Sequence, residues 1–193
     1  MATSTPTPRS RAIGLLIIAA ITVGVAVGAY RHAHSRIFKS YSVGFSTPGT
    51  RVWVSGAYLD GKIGVLGGSL LGKWGEMSKE NILFGKPMPH EIYVNWEEAE
   101  TKRRYEATVQ LSPGLPERAR ELPGYTFVRT HEKRPGGIYL IIGFAPKGAV
   151  TVWLSNAPSA AFRKGRVLDV VGKAEGRLTD KVAPFYPPPQ SQG

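Results

Sequence analysis

The chain has 193 residues, and its 25 lysines and arginines against 14 acidic residues give a formal net charge of +11. This length allows one domain with a hydrophobic core, and a hydrophobic content of 42% excludes a wholly disordered chain. The absence of cysteine excludes disulfide bonds, a thiolate nucleophile and a cysteine-ligated metal.

The N-terminal forty residues contain a long uncharged apolar run. Residues 1–11 are rich in Ser, Thr and Pro and predict a disordered tail. Residues 12–30 carry no charge, and a helix of roughly 20 residues crosses the hydrocarbon core of a bilayer. We expect a transmembrane signal anchor here, or a signal peptide cleaved after Ala29. Residues 31–40 then form a basic juxtamembrane linker.

The orientation of this span is not determined by charge, because basic residues flank both of its ends. A short tail before the first span is the usual layout of a signal anchor. We therefore expect a single-pass protein of the inner (plasma) membrane, with its C-terminal domain on the periplasmic, extracytoplasmic side.

Residues 41–183 read as a β-rich envelope domain. Short strands separated by Gly/Pro turns predict a mostly β fold, either an antiparallel β-sandwich or an open barrel of hairpins, with one or two short helices. Residues 43–55 and 142–155 resemble each other, and each predicts a hairpin. Residues 184–193 form a Pro-rich tail that we expect to be disordered.

A third hairpin is predicted between these two repeats. Residues 92–96 and 105–111 alternate between apolar and polar side chains, which places one face of each strand on the core. Residues 116–122 predict a short helix with proline in its first turn. Residues 125–130 and 138–144 predict strands, and 166–171 fits either a strand or a helical turn.

Motifs that would carry catalysis are incomplete. Residues 67–73 match the start of a phosphate-binding loop, but Trp74 stands where a magnesium-binding Ser or Thr is required. The carboxylates of residues 97–100 face basic residues at a predicted hairpin tip, which is typical of surface charge pairing. The histidines lack metal-site spacing: His32, His34, His90 and His131. We predict no enzyme, no cofactor and no metal.

The four tryptophans are the best candidates for a binding surface, because large aromatic side chains dominate both cores and interfaces. We assign Trp53 and Trp153 to the core and take Trp74 and Trp96 as candidate partner-binding residues. The positive charge is scattered along the sequence, which disfavours nucleic acid as a partner.

Taken in order, these segments resemble a family of uncharacterised bacterial envelope proteins, a domain of unknown function often found as lipoproteins. The resemblance covers residues 41–155. It rests on Val52-Trp53-Val54, Gly67-Gly68, Trp74-Gly75, Lys86-Pro87-Met88-Pro89, Ile92-Tyr93-Val94-Asn95-Trp96, Tyr105-Glu106-Ala107, Gly143-Phe144-Ala145-Pro146 and Val152-Trp153-Leu154-Ser155. Many members carry a lipidated cysteine, which this chain lacks, so the apolar run at 12–30 would serve as its anchor.

Three functions remain open at this point. The first is a membrane-anchored, non-catalytic protein-binding or structural module, of which an immunity protein against a secreted effector is one form. The second is a membrane-associated hydrolase, and the third is a basic binder of lipid headgroups or nucleic acid. The sequence does not determine the oligomeric state.

Overall fold

The computed structural model describes residues 37–182. The predicted N-terminal tail, the apolar span, the linker up to residue 36 and the Pro-rich C-terminal tail lie outside the described residues. Within residues 37–182, no helix has the length and apolarity needed to cross a membrane.

The described chain is built almost entirely from β-strands. The strands are β1 (Ile37–Ser46), β2 (Val52–Leu59), β3 (Ile63–Val65), β4 (Gly68–Leu70), β5 (Lys79–Pro87), β6 (Glu91–Glu98), β7 (Arg104–Gln110), β8 (Tyr125–Phe127), β9 (Lys133–Arg134), β10 (Tyr139–Phe144), β11 (Ala149–Ser155), β12 (Arg163–Lys164), β13 (Leu168–Glu175) and β14 (Arg177–Leu178). One α-helix, α1 (Leu115–Arg120), and a 3₁₀ turn (Pro146–Gly148) accompany them. The prediction of a mostly β fold is confirmed.

Residues 37–182 form three open sheets, and none of these closes into a barrel. The five-stranded sheet has the order β13-β11-β10-β1-β5, the six-stranded sheet β14-β7-β6-β2-β3 with β4 also paired to β2, and the three-stranded sheet β12-β8-β9. Strands β1 and β10 run parallel, so the expectation of a wholly antiparallel protein is wrong for this pair. A parallel pair needs a long connection, and here strands β2 to β9 lie between the two strands in sequence.

The two larger sheets share one hydrophobic core. Alternation in β1 and β10 directs Phe45 and Phe144 inward, where their rings stack 6.0 Å apart. Trp96 of the six-stranded sheet lies 5.0 Å from the Phe144 ring and joins the two layers. The helix α1 adds Leu115 and Ala119 to the same core.

The predicted hairpins met different outcomes. The hairpin of β6 and β7 is confirmed: Ile92 pairs with Val109 and Trp96 with Tyr105, and all four side chains are buried. The repeat at 142–155 also forms a hairpin, β10–β11. The repeat at 43–55 does not, because β1 and β2 belong to different sheets. Residues 47–51 carry the chain from one sheet to the other instead of folding it back on itself.

The predicted short helix, the strand at 125–130 and the ambiguous run at 166–171 differ from the structure in their bounds or type. The predicted helix exists but spans Leu115–Arg120 rather than 116–122. The predicted strand at 125–130 is shortened to β8, which pairs with β9 and β12. The ambiguous run at 166–171 becomes the start of the long strand β13.

Candidate partner-binding site

The structure divides the tryptophans differently from the sequence prediction. Trp96 is completely buried, because it continues the inward-facing row of β6, so its side chain contributes nothing to the surface. Trp53 is 54% exposed, which corrects its assignment to the core: Val52 and Val54 face inward, so the residue between them faces out. Trp153 is buried as expected, and Trp74 is 42% exposed.

Trp74 lies against the outer face of the five-stranded sheet, the face turned away from the shared core. Its ring meets Trp153 edge to face, with the ring centroids 4.8 Å apart. A glycine at position 143 makes this approach feasible, since a Cβ there would overlap the Trp153 ring and lie 2.9 Å from Trp74. Trp74 is therefore a half-exposed side chain on a rigid support.

Arg166 fastens the loop of Trp74 to the sheet. Its guanidinium donates hydrogen bonds to the carbonyl oxygen of Gly75, to the carbonyl of Ala157 at 3.1 Å and to Ser155 Oγ at 3.3 Å. Burial lowers the pKa of Arg166, because desolvation disfavours the charged form. The three oxygen acceptors compensate for this burial and fix the position of the Trp74 loop.

Next to Arg166, the three-stranded sheet presents arginines stacked on aromatic rings. Arg163 lies over Tyr125 and Phe127, with its guanidinium carbon 5.6 and 5.4 Å from the ring centroids. Arg129 covers Phe162 at 4.3 Å. We call residues 125–134 and 160–166 together the basic–aromatic surface. Each stacked guanidinium rests its flat face on an aromatic ring. Arg163 also donates hydrogen bonds to Ser159 Oγ and to the carbonyl oxygen of Ala161.

The net charge of the described chain is concentrated on this surface. It holds six lysines and arginines against one carboxylate, Glu132, a net charge of +5. Residues 37–182 as a whole hold 21 basic and 14 acidic residues, a net charge of +7. Part of the positive charge that is scattered along the sequence is therefore gathered on one sheet by the fold. Strand pairing through β8 brings together Arg134 and Arg163, which lie 29 positions apart in sequence.

The hairpin-tip carboxylates and the incomplete phosphate-binding motif make structural contacts within the domain. Glu97 forms a 2.6 Å ion pair with Arg104 across the β6–β7 hairpin. Glu98 accepts a hydrogen bond from the backbone N–H of Lys147 at 3.0 Å. Residues 68–70 of the supposed phosphate loop form strand β4, whose backbone is paired with β2. These contacts hold strands and turns together.

The fold does not bring together His90 and His131, the two histidines within residues 37–182. His90 lies 3.4 Å from a carboxylate oxygen of Asp60, and His131 occupies an exposed turn of the basic–aromatic surface with φ of 54°. His32 and His34 lie outside the described residues. Within residues 37–182, the structure holds no group of three His, Asp or Glu side chains placed to bind a metal ion.

Comparison with known proteins gives a family and no function. A family model described as "Protein of unknown function (DUF2931)" matches residues 32–179. No curated protein and no solved structure shows significant similarity to the chain. Because the matched segment covers well over half of its length, the chain belongs to the DUF2931 family of proteins of unknown function.

Proposed function

We propose that the chain is a membrane-tethered, non-catalytic binding module that captures an acidic protein partner on its basic–aromatic surface. The observation that carries this proposal is the net charge of +5 on residues 125–134 and 160–166, where Arg129 stacks on the exposed ring of Phe162 and Arg163 on the half-buried ring of Tyr125. Arginine and aromatic side chains are the residues most enriched at binding hot spots.

The placement of the rings favours a preformed protein-binding site. Phe162 is 54% exposed and Trp74 42% exposed, and each is held by a neighbouring side chain. Side chains that are already ordered lose little conformational entropy on binding. The surrounding positive charge would steer an acidic partner toward this surface and accelerate association.

The tether is the uncharged run at residues 12–30. As a signal anchor it would hold the β domain at the outer side of the inner membrane. Extraction of bacterial membranes with alkaline carbonate tests this arrangement. The chain should remain in the pellet and be digested by protease added outside the cytoplasmic membrane. Recovery in the soluble cytosol would refute the tether.

Site-specific photo-crosslinking tests the binding surface. A photoreactive amino acid at Phe162 or Trp74 should give an adduct with an acidic protein in intact cells, whereas the same probe at Trp53 should not. Trp53 is a matched control because it is equally exposed but lies on the six-stranded sheet. An adduct formed from Trp53 alone would place the binding surface elsewhere.

Charge reversal tests the electrostatic part of the proposal. Arg129→Glu combined with Lys164→Glu should reduce the adduct at least tenfold, because both side chains belong to the charged surface. The control pair Lys147→Glu and Lys181→Glu makes the same change in net charge outside it. Equal loss in both pairs would show that only total charge matters.

An anionic lipid headgroup is the second candidate, because the same concentrated charge would attract it. Vesicles of phosphatidylglycerol and of phosphatidylcholine distinguish the two. Strong, salt-sensitive retention on the anionic vesicles alone, without a protein adduct in cells, would favour lipid. If the adduct is a secreted antibacterial effector and co-expression protects cells from it, the immunity form of the proposal follows.

A further inference from the structure

Strand β5 is the outermost strand of the five-stranded sheet, with β1 as its neighbour on one side only. Seven of its nine residues are exposed. No backbone hydrogen bond reaches its outer edge from any other strand within residues 37–182. An edge of this kind presents unpaired N–H and C=O groups that another strand can satisfy.

The side chains of β5 divide between two faces. Leu83 packs on the core cluster. Asn81, two residues earlier, lies on the same side of the strand, where it exchanges hydrogen bonds with the backbone of Leu66. Ile82 and Phe84 therefore point to the outer face, where they are 55% and 68% exposed. They border an open groove of about 430 Å³ on this face. Two large apolar side chains in this position lack a covering partner among the described residues.

The sequence of β5 allows two antiparallel copies of the strand to place apolar residues opposite apolar residues and opposite charges opposite each other. We propose that β5 pairs antiparallel with β5 of a second copy of this chain, about a two-fold axis at Leu83. Residue numbers opposite each other then add up to 166, so Ile82 faces Phe84 of the copy and Glu80 faces Lys86. Both pairs occur twice, as a two-fold interface requires.

These pairs are of the stabilising kinds in antiparallel sheets. Contacts between aromatic and β-branched residues, and between opposite charges, each contribute a cross-strand attraction. Gly85 has a positive φ of 60°, which interrupts the alternation after Phe84. The long stem of Lys86 would let its ammonium group reach the carboxylate of Glu80, which also accepts a hydrogen bond from Ser42 Oγ within its own chain. The result is a continuous ten-stranded sheet across two copies.

Charge also selects the register and explains why the partner is a second copy. A shift by one position in one direction places Lys79 opposite Lys86, and a shift in either direction sets an outer-face residue, Ile82 or Phe84, against the inward-facing Leu83. Lysines on an edge ordinarily repel unrelated strands. In the proposed register Lys86 lies opposite Glu80 of the other copy. Strand β5 therefore disfavours pairing with unrelated edge strands but favours pairing with β5 of a second copy.

Cysteine crosslinking of full-length chains in mild detergent tests this register. The natural chain has no cysteine, so each introduced thiol is unique. A mixture of differently tagged Ile82→Cys and Phe84→Cys chains should form the mixed disulfide at least tenfold faster than a mixture of Val170→Cys chains. Val170 is a matched control because it is exposed on β13, the opposite edge of the same sheet. Preferential crosslinking at Val170 would overturn the proposal.

Charge exchange provides a second, independent measurement. Glu80→Lys or Lys86→Glu alone should weaken the dimer about tenfold in sedimentation equilibrium, because two attractive pairs become repulsive. The double variant Glu80→Lys with Lys86→Glu should restore the wild-type dissociation constant. A wild-type chain that is monomeric at 100 μM, or a double variant as weak as the single ones, would refute the interface. Neither result depends on the acidic partner proposed above.

Discussion

Alanine replacement of Trp96 and of Trp74, the two candidate partner-binding tryptophans, distinguishes a buried core side chain from a surface side chain. Trp96 is fully buried, stacks on Tyr105 at 5.5 Å and contacts Phe144 at 5.0 Å. Truncation of a buried tryptophan to alanine costs about 3–5 kcal/mol, through lost transfer energy and the remaining cavity. A domain of this size is stable by about 5–15 kcal/mol, so the change removes a large share of its stability.

Two comparison variants sharpen this prediction. Trp96→Phe should cost about 1–2 kcal/mol, because the indole N–H has no partner among the described residues and its removal offsets part of the lost packing. Trp74→Ala should also cost about 1–2 kcal/mol, since the side chain is half exposed and loses mainly one ring contact with Trp153.

Urea unfolding followed by circular dichroism gives these free energies, since tryptophan fluorescence would change with the variants themselves. The midpoint of thermal unfolding should fall by roughly 10 °C in Trp96→Ala and by a few degrees in Trp74→Ala. Equal destabilisation by the two alanine variants would contradict the assignment of one ring to the core and the other to the surface.

Three further changes follow from particular contacts. Gly143→Ala should destabilise the domain by about 2 kcal/mol or more in urea unfolding, because the added methyl group overlaps the adjacent indole ring; an unchanged midpoint would contradict this packing. Asn81→Ala should lower the free energy of unfolding by about 1 kcal/mol, because the Asn81 side-chain amide exchanges two hydrogen bonds with the backbone of Leu66. Hydrogen exchange at the backbone N–H of Leu66 should then accelerate. Burial, and then the hydrogen bond to Glu106, raise the pKa of Tyr93 to about 12. This contribution to stability is complete below about pH 10 and is lost as the pH rises toward 12, so Tyr93→Phe should flatten the decline in unfolding free energy over that range.

Local patterns predicted the elements whose partners lie nearby in sequence. The alternation at 92–96 and 105–111 identified a hairpin and its buried face, because side chains of period two leave only one register that buries the apolar row. Proline followed by a charged amphipathic turn identified the helix α1. The family also follows from sequence, since its model matches residues 32–179.

The tertiary structure alone decided which strands share a sheet and where the charge gathers. The similar repeats at 43–55 and 142–155 fold differently, because β1 pairs in parallel with β10 nearly one hundred residues away, a choice that no local pattern encodes. Other non-local pairings, of β8 with β9 and β12, assemble distant arginines on the three-stranded sheet. Sequence determines which face of a strand is apolar, but the free energy of packing between distant strands determines what that face covers.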